Sequence, residues 1–215
     1  HRTEPRIKED GFRYWKFSHA PRDDWPEGEH DYADWVRENG GDLNAMRASE
    51  DNVPREFHQT TWATTRAIEF ISEERADQPW MLNINVYDPH PPFIPPKEYA
   101  DKFDPNDMPG PTFEPSDVTA QKKLVEADFQ TTSKTPEESN AKEAQAKYYA
   151  MIALIDDEFG RLMNHLESTG QINNTVVIFT SDHGETLGDH GLFYKGCRFY
   201  DCLLYTSPSP RDSMT

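Results

Sequence analysis

Two stretches of the chain concentrate side chains that bind anions, hold cations or move protons. The denser one runs from Ser181 to Gly196, where three carboxylates, two imidazoles, one ammonium and four glycines fall within sixteen residues. Asp182 and His183 are adjacent and offer a hard oxygen and an imidazole nitrogen, a pair suited to a divalent cation. Gly184, Gly188, Gly191 and Gly196 let backbone come close to an ion or oxyanion. Lys195 adds a mobile positive donor for an anionic group. The competing reading is a solvated acidic turn with incidental histidines; the density of ligand types makes it the poorer account, although spacing alone fixes neither metal nor reaction. The second stretch is Asp88-Pro89-His90-Pro91-Pro92-Phe93, which holds one imidazole in a stiff, proline-bounded loop. A fixed imidazole suits proton donation or anion contact. On its own this stretch also reads as an Asp-Pro turn with His90 packed beside Phe93.

Both stretches follow runs that read as strands, and ligands in open α/β sheets bind outside the carboxyl ends of strands. Residues 80–87 form a short apolar run with Leu82, Ile84 and Val86 on one face, expected to be a mostly buried strand. Residues 174–181 are β-branched and nearly continuous in apolar character, as a strand covered on both faces would be. Ahead of it, Tyr148, Ile152, Ile155, Phe159, Leu162 and Leu166 make one apolar stripe, predicting a helix over 141–168 that ends before Gly170. A second helix is expected over 54–75, with Pro54 in its first turn and Phe57, Thr61, Thr65, Ile68 and Ile71 at helical spacing. Residues 1–50 read as turns anchored by burial of Trp15, Trp25 and Trp35. Proline-rich residues 91–140 read as a long surface excursion. Helix followed by buried strand predicts an α/β fold with a mostly parallel sheet.

Composition narrows the function classes. The formal charge is -17, from 39 acidic and 22 basic residues, which disfavours nucleic acid and anionic membrane as partners. Mean hydropathy is -0.90, yet aromatics make up 12% of the chain, more than a disordered chain carries. No run approaches the roughly 18 apolar residues of a membrane span. Cys197 and Cys202 imply no disulfide framework. Asn173-Asn174-Thr175 matches a glycosylation acceptor but is better explained as a turn before a strand. Residue 1 is not Met, so the start reads as a cut and a signal peptide would lie upstream.

The segment from Ser181 to Gly196 resembles the second metal-site segment of sulfatases, Asp88 to Phe93 resembles their substrate-histidine loop, and Tyr148 to Gly170 resembles the helix before that metal segment. The order agrees, and the resemblance covers about Gly11 to Asp201. It implies part of an alkaline-phosphatase-like sandwich, a mostly parallel central sheet flanked by helices, with residues 1–201 as a partial catalytic domain. By this resemblance Asp182 and His183 would ligate a divalent ion, usually calcium, with manganese or zinc in relatives. His90 and Lys195 would contact the sulfate and the leaving-group oxygen, and Glu185, Asp189 and His190 would support the loop. The activity implied is hydrolysis of a small anionic sulfate monoester by a formylglycine nucleophile; the alternatives are a phosphonate or phosphate ester hydrolase of the same superfamily and a non-catalytic sulfatase-like protein. A periplasmic or secreted location goes with the family, and oligomeric state stays open. By the resemblance the nucleophile segment is expected upstream of these residues, and the 215 residues alone are expected to be inactive. Cys197 does not fit the family's nucleophile motif, and residues 202–215 read as a foreign tail.

Overall fold

The computed structural model describes residues 11–73, 78–122, 133–195, 200 and 203. Cys197, Cys202 and the tail after Leu203 lie outside them. The chain divides into two compact units, His1–Lys102 with Tyr148–Thr175, and Phe103–Lys147 with Val176–Thr215.

In the first unit the core is built by short helices. Helix α1 (Asp31–Glu38) buries Tyr32, Ala33 and Val36. Asp31 and Asp34 stand at its positive end and Arg37 at its negative end, as the macrodipole favours. Helix α2 (Leu43–Ala48) is capped by Asp42, whose side chain accepts from the Ala45 N–H at 2.9 Å. Between them Gly41 has no room for a side chain: a Cβ there would meet Val36 Cγ1 at 2.7 Å. Leu43, Val53 and Trp62 join the α1 residues in one cluster, with Trp35, Met46 and Phe57 packed on it. Residues 1–50 thus hold two short helices among the expected turns. Trp15, expected to be buried, is 46% exposed.

Helix α3 (Gln59–Ser72) begins later than Pro54 predicts. Residues Arg55–Phe57 close a separate 3₁₀ turn, and His58 is extended, serving as the α3 N-cap. The buried line is Thr60, Thr64, Ala67 and Ile71; it keeps Ile71 of the expected stripe and otherwise lies one position round from it. Thr61 and Thr65 face polar partners instead: Thr61 Oγ1 donates to Glu158 at 3.2 Å, and Arg161 donates to Thr61 O and Thr65 Oγ1.

After short helix α4 (Lys97–Ala100) the first unit resumes at Tyr148, within the long helix α7 (Ala141–Ser168), which has the predicted bounds, with Gly170 in the left-handed region at φ 71° just beyond it. Its buried line runs through Ala150, Met151, Leu154 and Glu158, whereas Ile152 of the expected stripe is 43% exposed. Glu158 is 1% exposed and is held by Arg55 at 3.1 Å and Arg161 at 2.6 Å. A buried carboxylate requires such partners.

In the second unit, helices α5 (Pro115–Lys122) and α6 (Pro136–Ser139) occupy the proline-rich region, together with a 3₁₀ turn at Pro105–Asp107. Thr135 and Glu138 form a capping box at the start of α6.

The two expected strands do not form a sheet among the described residues. Residues 80–87 and 175–181 carry no strand ladder. Met81 is 76% exposed, Val176 88%, Ile178 81% and Phe179 68%. A strand needs neighbouring strands to take its N–H and C=O groups and to cover its faces, and the described residues contain no such neighbours.

Candidate functional site

The His90 loop belongs to the first unit. Its root is Asp88, 7% exposed, whose Oδ2 accepts from Thr60 Oγ1 at 2.5 Å and lies 3.5 Å from His58 Nδ1. Thr60 and His58 are at the start of α3, so the helix N-terminus fixes the loop. At the loop's tip the His90 N–H donates to Tyr87 O at 3.1 Å, and the Tyr87 hydroxyl donates to Pro91 O at 2.9 Å. His90 Nδ1 is 2.6 Å from the same Pro91 oxygen. A carbonyl oxygen can only accept, so Nδ1 carries the proton and Nε2 is the working nitrogen. The His90 ring lies 4.7 Å from that of Tyr87, whereas Phe93 makes its ring contact with Tyr148 at 5.8 Å. The imidazole is exposed. Burial pushes the Tyr87 phenol up, which keeps it a neutral donor to Pro91.

The loop from Ser181 to Lys195 belongs to the second unit. Ser181 Oγ donates to His183 O at 2.8 Å, and the His183 N–H donates to Asp182 Oδ1 at 2.8 Å. His183 Nδ1 is 2.8 Å from Gly184 O, so by the same reasoning Nε2 is left to ligate. That Nε2 stands 3.6 Å from Asp182 Oδ2. Two donors bound to one cation at about 2.0–2.6 Å each stand roughly 3–3.6 Å apart, so the pair fits a shared ion. The Asp182 side chain is 86% exposed and thus open to one. Among the described residues no third His, Cys, Asp or Glu joins them.

Lys195 is drawn back onto the loop by Glu185, whose side chain is 3% exposed and whose Oε2 accepts from Nζ at 3.1 Å. The Glu185 Oε1 is buried and has no hydrogen-bond partner among the described residues. Thr186, also buried, donates to Tyr194 O at 2.9 Å and closes the loop. Gly188 has φ 103°, and a Cβ there would meet Ala141 Cβ at 2.6 Å. Asp189 and His190 tie the loop to its unit. Asp189 accepts from the Thr112 N–H at 2.7 Å, and the His190 ring stacks on Tyr200 at 4.1 Å.

The structure therefore brings Asp182 and His183 together and gives Lys195 a fixed carboxylate partner. Sequence reading missed His58, Thr60 and Tyr87. Tyr87 adjoins the motif and was within reach; Thr60 and Asp88 are 28 positions apart, and nothing local marks the pairing.

Comparison with known proteins now decides the family. Residues 7–202 match the family model described as Sulfatase. The chain belongs to the sulfatase family, within the alkaline phosphatase superfamily. It is 33% identical over 184 residues to the multifunctional alkaline phosphatase superfamily protein PehA of Trinickia caryophylli, covering 79% of this chain and 35% of that one. It is 30% identical over 176 residues to an arylsulfatase of Clostridium perfringens, covering 77% of this chain and 37% of the relative. A phosphonate monoester hydrolase of Agrobacterium radiobacter superposes with a TM-score of 0.67 at 26% identity, over 83% of this sulfatase-family chain and 40% of that structure. The fold is accordingly sulfatase-like, and the chain spans little more than a third of the length of the relatives it matches.

Proposed function

We propose that this sulfatase-family chain is part of a metal-dependent hydrolase of sulfate monoesters. The observation that carries the reading is the pairing of Asp182 Oδ2 and His183 Nε2 at 3.6 Å, on the same loop as Lys195. Asp182 and His183 would hold the divalent cation, calcium by family habit or manganese or zinc. When bound, that cation neutralises charge on the transferred group. Lys195 brings an ammonium to the developing oxyanion. His90, with its Nδ1–H held by Pro91 O, leaves Nε2 for the ester, and in its imidazolium form would give a proton from Nε2 to the departing alcohol oxygen. The nucleophile, a formylglycine, comes from residues other than these, and the 215 residues alone do not turn over.

Segments 80–87 and 175–181 join the mostly parallel sheet of an alkaline-phosphatase-like sandwich in the complete protein, which would cover Val176, Ile178 and Met81. Residues 1–201 are then a part of its catalytic domain and 202–215 a foreign tail. Periplasmic or secreted location goes with this reading.

A phosphonate or phosphate monoester is the second substrate class, favoured by the likeness to the Agrobacterium radiobacter phosphonate monoester hydrolase. Turnover of matched 4-nitrophenyl sulfate, phosphate and phenylphosphonate esters by the complete protein separates them. Sulfate release at the highest kcat/KM supports the main reading; phosphonate cleavage with no sulfate release overturns it.

A further inference from the structure

His19 is exposed, yet two buried side chains grip its backbone. Its N–H donates to His30 Nε2 at 2.9 Å, and its carbonyl accepts from Gln59 Nε2 at 2.6 Å. His30 is 1% exposed and Gln59 3%. Buried polar groups are costly unless hydrogen-bonded, and each of these bonds the backbone of the same loop residue. That residue's position is thereby set by the core.

What is set is an imidazole against an aromatic surface. The His19 ring lies 5.6 Å from Trp25 and 6.2 Å from Tyr87. Tyr87 is the same ring on which His90 lies, at 4.7 Å. The two histidines share one phenol, and Tyr87 is itself tied to Pro91 O, the carbonyl that fixes His90.

We infer that His19 is a specificity-determining residue of the His90 site, forming with Trp25 and Tyr87 the surface that receives the alcohol half of the ester, a ring-bearing alcohol. This rests on the proposed ester hydrolysis. If His90 serves the bridging oxygen, the alcohol carbon bonded to that oxygen lies beside it. Half-buried aromatic faces take a flat ring by stacking, and an imidazole at their edge supplies a directional hydrogen bond to a ring substituent. The backbone grip does not involve the His19 side chain, so substitutions there leave the loop in place.

The test uses the complete protein, with 4-nitrophenyl sulfate as the ring ester, hexyl sulfate as the unbranched ester and inorganic sulfate as competitive inhibitor. His19→Ala raises KM for the ring ester about tenfold and leaves kcat within about threefold, the signature of lost binding rather than lost chemistry. The hexyl sulfate KM and the inhibition constant of inorganic sulfate stay within about threefold of wild type. His19→Gln, which keeps a hydrogen-bonding end, gives a smaller rise. Wild-type KM for the ring ester in both variants overturns the inference while leaving ester hydrolysis intact. A parallel loss for both esters and inorganic sulfate also overturns it, because the contact is then general. No ester turnover by the wild type overturns both.

Discussion

Thr60→Val removes one hydroxyl and nearly preserves volume, so it isolates the bond that roots the His90 loop. Thr60 is 1% exposed and Asp88 7%, and their oxygens are 2.5 Å apart. Water has little access to replace the lost donor, and among the described residues Asp88 Oδ2 keeps His58 Nδ1, at 3.5 Å. Hydrogen bonds to charged groups contribute about 1.5–3 kcal/mol, and burial places this one in the upper half, about 2–3 kcal/mol. With a urea m-value of about 2–3 kcal/mol/M, the unfolding midpoint falls by about 1 M. The loop that aims His90 loosens with it, so kcat falls about tenfold in the complete protein. Thr60→Ser keeps the donor and serves as control. If Thr60→Val and Thr60→Ser unfold at the same urea concentration and turn over equally, Asp88 is not the root of the loop and the reasoning fails.

Three further outcomes are expected. Glu185→Ala removes the carboxylate that receives the Lys195 ammonium and lowers kcat/KM about tenfold, read by steady-state kinetics with the fold checked by circular dichroism. Burial lowers the pKa of His30, first by desolvation, with its Nε2 accepting from the His19 N–H. The unfolded chain then binds the proton more readily, so stability from this group is full above its ordinary value of 6.5 and is lost as pH falls below it towards the depressed folded value. Urea unfolding at pH 7.5 and 5.5 reads this, and His30→Gln flattens the difference. Gly41→Ala drives a Cβ to 2.7 Å from Val36 Cγ1 and costs about 1–3 kcal/mol, measured by the same unfolding assay.

What the sequence made legible follows from how local the signal was. Helix α7 was readable to its ends because one stripe runs its length and Gly170 closes it. The His90 and Asp182 loops stand out in the sequence because their titratable side chains lie in consecutive residues. Helix α1 was hidden because eight residues between glycine and proline turns carry only two turns of pattern. The α3 face was misread because Phe57 belongs to a separate 3₁₀ turn, and His58 starts the helix anew. Glu158 in the core, and Thr60 beneath Asp88, depend on partners tens of residues away, which periodicity does not encode. The strands were read from β-branched composition, but a strand exists only with its neighbours, and Val176 and Ile178 lack that cover among the described residues.

The central claim is tested most directly by sulfate release from an ester by the complete protein, with and without chelator, in wild type, His90→Ala and Asp182→Ala. The account predicts turnover in the wild type that chelation abolishes and a divalent cation restores, and a fall of about a hundredfold or more in each variant. Wild-type rates in both variants, or turnover indifferent to chelation, would contradict it.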